Sequence, residues 1–197
     1  MNVYGLTGGI ASGKSVVERM LAETYPVIDA DVVAREVVAP GSEGLTRVAE
    51  AFGDQVLQAD GNLNRTALRH IIAHSKEAQQ TLNGILHPMI GASIQDTLTA
   101  LAQDGNPVAF VSAALMLETG SYKRYDAVLV ICSSEETRLA RLLGRDDMDE
   151  ASARALMAKQ MPDAQKRELA SYVIENNGSF KTLRKRLNKV LAAIKIT

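Results

Sequence analysis

The run Gly8-Gly9-Ile10-Ala11-Ser12-Gly13-Lys14-Ser15 has the spacing G-x-x-x-x-G-K-S/T, in which backbone N–H groups and one ammonium close around phosphate oxygens. Glycines let those N–H groups curl toward an anion with no Cβ in the way. A helix starting at the lysine would add roughly half a positive charge facing the same oxygens. Lys14 is placed to reach β- and γ-phosphates, and the Ser15 hydroxyl to ligand Mg²⁺. The candidate nucleotide contacts are therefore Gly9, Ala11, Ser12, Gly13, Lys14, Ser15 and Val16. The motif predicts a bound nucleoside triphosphate and is silent on what receives its phosphate.

Asp29 and Asp31 follow a short apolar segment, Tyr25 to Ile28. If that segment is a strand beside the phosphate loop, its carboxyl end faces the ligand, and alternation along an extended chain aims both carboxylates to the same side. Phosphoryl transfer needs an acceptor hydroxyl oriented and its proton accepted, and a metal held. Asp29 reads equally well as a cap for the next helix. Arg138, Arg141 and Arg145 recur at spacings of three and four, one face of a helix. Such a row can be a solvated basic face. It can also supply guanidinium groups to the charge on a transferring phosphoryl group, where one arginine is worth ~10³ or more in rate.

These side chains need a scaffold, and the apolar pattern provides one. Asn2 to Leu6 predicts a buried strand entering the loop, and Val16, Val17, Met20 and Leu21 a helix leaving it. Strand, helix and strand in that rhythm imply a parallel pair with a right-handed crossover. Residues 32–102 are mostly helical in pattern, with turns at Pro40-Gly41 and Asp60-Gly61-Asn62 and a helix start or kink at Pro88. Val108 to Val111, Ala127 to Ile131 and Tyr172 to Ile174 predict further strands. Ser133 to Glu136 reads as a capping box, and the helical pattern it opens runs to Met161, broken at Gly144-Arg145-Asp146-Asp147. Phe180 to Ile194 closes the chain as an amphipathic helix.

The 197 residues suit one domain with an insertion, or two small lobes. With 46% apolar residues, 23% charged residues and a net charge of −1, nothing predicts a nucleic-acid surface. Cys132 is the single cysteine and fits a reducing, cytoplasmic setting. No stretch predicts a signal peptide or a membrane span. A guanine-reading Asn-Lys-x-Asp is missing, and the apolar segment Val108 to Val111 runs into Ser112 rather than Asp. These features point to a small-metabolite kinase whose base sits early in the chain.

The stretches Gly5 to Ser15, Val27-Ile28-Asp29-Ala30-Asp31-Val32-Val33-Ala34-Arg35, Asp60 to Arg65 and Leu82 to Pro88 resemble dephospho-coenzyme A kinases. The likeness resumes at Arg145-Asp146-Asp147, Gln160 and Val173 to Gly178. It implies an α/β fold: a three-layer parallel sheet of P-loop kinase type with an inserted helical substrate lobe and a helical lid. The implied division is a nucleotide-binding core of residues 1–31, 103–135 and 162–197, a lobe of 32–102 for the CoA moiety, and a lid of 136–161. The implied reaction is phosphorylation of the ribose 3′-hydroxyl of dephospho-CoA by ATP with Mg²⁺, the last step of coenzyme A synthesis. Asp31 matches the family's general base, with Lys14, Arg141 and Arg145 as the other catalytic groups. Asp29, Arg35, Arg65 and His87 fall on the acceptor side, and Asn176 and Gly178 on the adenine side.

Three positions depart from the family pattern. Ala11 replaces a usual Gly, which costs little if its φ is negative; Ala114 replaces a frequent Pro, and Ser171 a usual Asp. A kinase for a nucleoside monophosphate or a sugar, and a protein that holds ATP without using it, are the competing readings. His70 and His74, four apart, are expected on a solvated face, and Cys132 is expected to be buried.

Overall fold

A computed structural model describes residues 1–145 and 148–194. Asp146 and Asp147, part of the expected break and of the family likeness, lie outside the described residues. The chain divides into two compact units, Met1–Asp29 with Leu101–Thr197, and Ala30–Ala100.

The first unit is built on five parallel strands in the order β2-β3-β1-β4-β5. They are β1 (Asn2–Gly8), β2 (Val27–Asp29), β3 (Val108–Ser112), β4 (Ala127–Cys132) and β5 (Tyr172–Glu175). Their near-continuous apolar runs suit strands covered on both faces, and alternation in β4 shows the two coats. Leu129 and Ile131 pack with Val17, Met20 and Leu21 of α1 (Lys14–Ala22) and with Leu183 and Leu187 of α9 (Phe180–Ala193). Val128, Val130 and Cys132 face the other way, onto Met116, Leu117 and the half-buried Leu169 of α8 (Asp163–Leu169). Each such buried aliphatic side chain contributes about 1.5–3 kcal/mol of transfer free energy. Helix, sheet and helix make the three expected layers.

Two more helices, α6 (Glu135–Arg145) and α7 (Glu150–Ala158), join through Leu139, Leu142, Ala153 and Met157, against which Ile10 and Ala11 of the phosphate loop pack. The cap of α6 differs from the expected box. Ser134, not Ser133, accepts the Thr137 N–H at 3.2 Å, because the Ser133 hydroxyl is used elsewhere.

The second unit holds α2 (Ala30–Glu36), α3 (Glu43–Phe52), α4 (Arg65–His74) and most of α5 (Lys76–Gln103). Ser42 and Asn64 cap α3 and α4 by accepting the N–H groups of Leu45 and Ala67. Its own core is Val38, Leu45, Val48, Val56, Leu63, Leu68 and Leu82. Pro88 neither starts nor ends a helix, since α5 runs through it. His70 and His74 are exposed, as expected, and Cys132 is buried, where burial raises the pKa of its thiol.

Candidate active site

The carboxyl edge of the sheet collects the residues that could do chemistry. β1 ends in Gly8 and runs into the loop; β2 ends in Asp29, β3 in Ser112, β4 in Cys132 just before Ser133, and β5 in Glu175 just before Asn176. Asp29 and Ser112 are register partners. Parallel strands place all these ends together, where open α/β sheets bind ligands.

The loop is shaped largely by side chains from distant segments. Gly13 has φ 93°, and a Cβ there would lie 2.2 Å from the Asn176 side-chain nitrogen, so only glycine fits. Asn176, buried, donates to the Ser12 carbonyl at 2.8 Å. Arg141 donates through Nη1 to the carbonyls of Ala11 (3.1 Å) and Ser12 (3.2 Å) and to Ser133 Oγ (3.1 Å), and through Nη2 to the Asn176 carbonyl (2.8 Å). Ser133 Oγ itself stands 2.7 Å from the Asn176 carbonyl. Pulling these carbonyls to the back of the loop leaves the first-turn N–H groups of α1 at its front. Gln160 accepts the Ile10 N–H at 2.7 Å, joining the residues after α7 to the loop. Arg138 covers Gly9, where a Cβ would come within 2.5 Å of its Nη1, and it pairs with Asp163 at 3.5 Å.

The condition under which Ala11 would cost little is not met. Its φ is 58°, the one positive value at a non-glycine position among the described residues. A left-handed L-residue brings Cβ against the following carbonyl and costs roughly 1–2 kcal/mol. In this conformation Arg141 donates to the Ala11 carbonyl, and Ala11 packs against the α6–α7 cluster. The alternation argument for the two carboxylates is corrected. β2 stops at Asp29, and Asp31 sits in the first turn of α2, so the two side chains do not share one extended strand. Asp31 instead stands where a carboxylate complements a helix N-terminus.

A cavity of about 410 Å³ is lined by the loop, including Gly9, Ala11, Gly13, Lys14 and Ser15, and by Arg141, Arg145 and Gln160. Lys14, Arg141 and Arg145 thus line one cavity. Val16 lies in the first turn of α1, its N–H bonded to the Gly13 carbonyl. Gly178 lies exposed in the turn between β5 and α9. In the second unit Arg35 and Arg65 line one cavity of about 480 Å³ with Gln58, Asn62 and Thr66. His87 is exposed on α5 and does not line that cavity.

Sequence reasoning missed Ser133, whose serine pair reads as a helix cap, and gave Gln160 no role although it belonged to the family likeness. It left Glu118 and Ser171 unassigned. Glu118 pairs with the buried Lys166 (2.9 Å, off hydrogen-bond geometry) and accepts the Met161 N–H. Ser171 accepts the Val128 N–H at 3.0 Å.

A parallel sheet whose first strand feeds a phosphate loop, with cations converging on that loop, defines a P-loop phosphotransferase. A shikimate kinase from Acinetobacter baumannii has the same fold, with TM-score 0.51 at 19% identity, over 98% of this chain and 92% of its own. Residues 2–182 match the dephospho-CoA kinase family model, and the chain belongs to that family, whose reaction is the final step of coenzyme A synthesis. The dephospho-CoA kinase of Geobacter sulfurreducens is 40% identical over 193 residues, 98% of each chain. The solved dephospho-CoA kinase from Campylobacter jejuni superposes with TM-score 0.73 at 27% identity, over 98% of this chain and 96% of its own.

Proposed function

We propose that this chain transfers the γ-phosphoryl group of ATP to the ribose 3′-hydroxyl of dephospho-CoA, giving coenzyme A and ADP. The observation that carries the donor half is the cavity in which Lys14, Arg141 and Arg145 converge on the phosphate loop. Two details fit a polyphosphate there. Gly13 lets Asn176 reach the Ser12 carbonyl where a Cβ would collide with it, and the first turn of α1 opens on the same cavity through Lys14 and Ser15. The Ser15 hydroxyl would hold Mg²⁺, which when bound would supply neutralisation of the charge that builds on the transferring phosphoryl group.

The chain's own groups do the rest. Asp31 orients the 3′-hydroxyl and accepts its proton as the oxygen bonds to phosphorus and the bond to the β–γ bridging oxygen breaks. Lys14 and Arg145 stabilise charge on the transferring group. Arg141 acts chiefly by holding the loop, since its guanidinium is engaged with Ala11, Ser12, Ser133 and Asn176. Asn176 and Gly178 border the adenine. Residues 136–161 serve as lid and 32–102 as the acceptor lobe, where Arg35 and Arg65 meet anionic parts of the acceptor, with Asp29 and His87 beside it. No described helix is long and apolar enough to cross a membrane, and we place the protein in the cytoplasm with no nucleic-acid or membrane partner.

The test is to mix the protein, Mg-ATP and dephospho-CoA and to follow ADP and coenzyme A, which should appear in equal amounts. No turnover by demonstrably folded protein, or turnover with a nucleoside monophosphate instead, overturns the reading. Asp31→Asn should keep the ATP Kd within about twofold while kcat drops by about 10²–10⁴. A parallel loss of ATP binding would make Asp31 a metal or structural residue.

A further inference from the structure

The phosphate-loop lysine has a second station inside the protein. Lys14 Nζ donates to Ser112 Oγ at 2.6 Å and lies 3.4 Å from Glu18 Oε2. Ser112 Oγ donates to that same carboxylate oxygen at 3.3 Å. The three groups are screened from solvent: the Lys14 and Glu18 side chains are 16% and 18% exposed, and Ser112 is fully buried. Ser112 ends β3, flanked in register by Leu6 and Asp29, so its position is fixed by the sheet. Glu18 stands one turn after Lys14 on α1, and lysine preceding glutamate at i,i+4 is the weaker order for a helix pair. The contact is therefore held by Ser112 as much as by the helix.

We propose that Glu18, acting through Ser112, is a positioning residue that sets the affinity of the loop for nucleotide polyphosphates, by competing with the β- and γ-phosphates for Lys14. The proposal rests on the reading that this loop holds ATP. Lys14 cannot sit on Ser112 and Glu18 and also turn fully onto phosphate oxygens, so whatever stabilises the first arrangement is subtracted from binding in the second. When Lys14 leaves, Ser112 still donates to Glu18, so the carboxylate keeps a partner and the exchange stays cheap. A nucleotide with no β-phosphate does not reach Lys14 and is blind to the competition.

Calorimetric titration of the full chain with ATP, ADP and AMP tests this. Glu18→Gln removes the charge. Glu18→Asp keeps the charge but shortens the reach by one methylene. Both should tighten ATP and ADP by roughly three- to tenfold, the worth of one modest polar contact, and leave AMP within about twofold of wild type. KM for ATP should fall while KM for dephospho-CoA stays put. Glu18→Gln should also lower the melting temperature of the nucleotide-free protein and leave that of the ATP-saturated protein unchanged. The proposal is overturned if ATP affinity is unchanged or weaker, if AMP tightens equally, if Glu18→Asp behaves as wild type, or if both melting temperatures fall together. Wild-type protein that binds no ATP at all would sink the nucleotide reading instead.

Discussion

Ala11 carries a left-handed backbone in the middle of the phosphate cradle, and its single methyl group is what makes that conformation costly. Glycine adopts the same φ freely but loses more entropy on folding, by about 0.5–1 kcal/mol. Set against a strain of roughly 1–2 kcal/mol, Ala11→Gly should be neutral or stabilising by up to about 1.5 kcal/mol in urea denaturation. Ala11→Val adds β-branching at the same φ and should destabilise by about 2 kcal/mol or more. If both variants melt like wild type, the left-handed conformation at Ala11 is wrong. The loop motif itself was fully legible in the sequence, because its chemistry lies in eight consecutive residues. The sign of φ at Ala11 was not, because its surroundings include groups such as Arg141, 130 residues away.

Among the elements, the segment after β3 is tied to α8 by charge. Lys166 is buried, and its ammonium meets Glu118 at 2.9 Å. Burial pushes the Glu118 carboxyl up, but Lys166 and the Met161 N–H outweigh it and hold its pKa below the ordinary 4.5. That stabilisation is complete above the unfolded value of 4.5 and is lost as pH falls through the lower folded value. Glu118→Gln leaves the buried Lys166 ammonium without its counter-charge and should cost about 1–3 kcal/mol near pH 7. The variant should also lose less stability than wild type between about pH 5 and pH 3, as chemical denaturation at each pH would show. Equal acid sensitivity in the two proteins would deny the pair its role. Strands β1, β3 and β4 could be read from apolar runs alone. Asp31 was misread as extended, because whether the chain stays a strand or turns helical at Ala30 is decided by packing, to which a two-residue alternation is blind.

At the scale of the whole molecule, the groups proposed for donor and acceptor belong to separately cored units, which should give their substitutions separable effects. Arg35→Ala and Arg65→Ala remove guanidinium groups from the cavity of the helical unit. Each should raise KM for dephospho-CoA about tenfold, the loss of one charge-assisted contact, with the ATP Kd unmoved. A matching loss of ATP affinity would show that these arginines serve the donor instead. The reading of residues 32–102 as an insertion rests on helical periodicity replacing short apolar runs over about 70 residues. It did not show that Arg35 and Arg65 share a cavity, which depends on how α2 and α4 fold around Val38 and Leu63. The clasp of Ser133, Arg141 and Asn176 on the loop also bears on the order of synthesis. A chain emerging from the ribosome displays the whole motif by residue 15, yet the groups that pull back the carbonyls of Ala11 and Ser12 arrive only with residues 133–176. In a chain made from its N-terminus, the loop therefore waits on residues 133–176 for the contacts that fix its carbonyls.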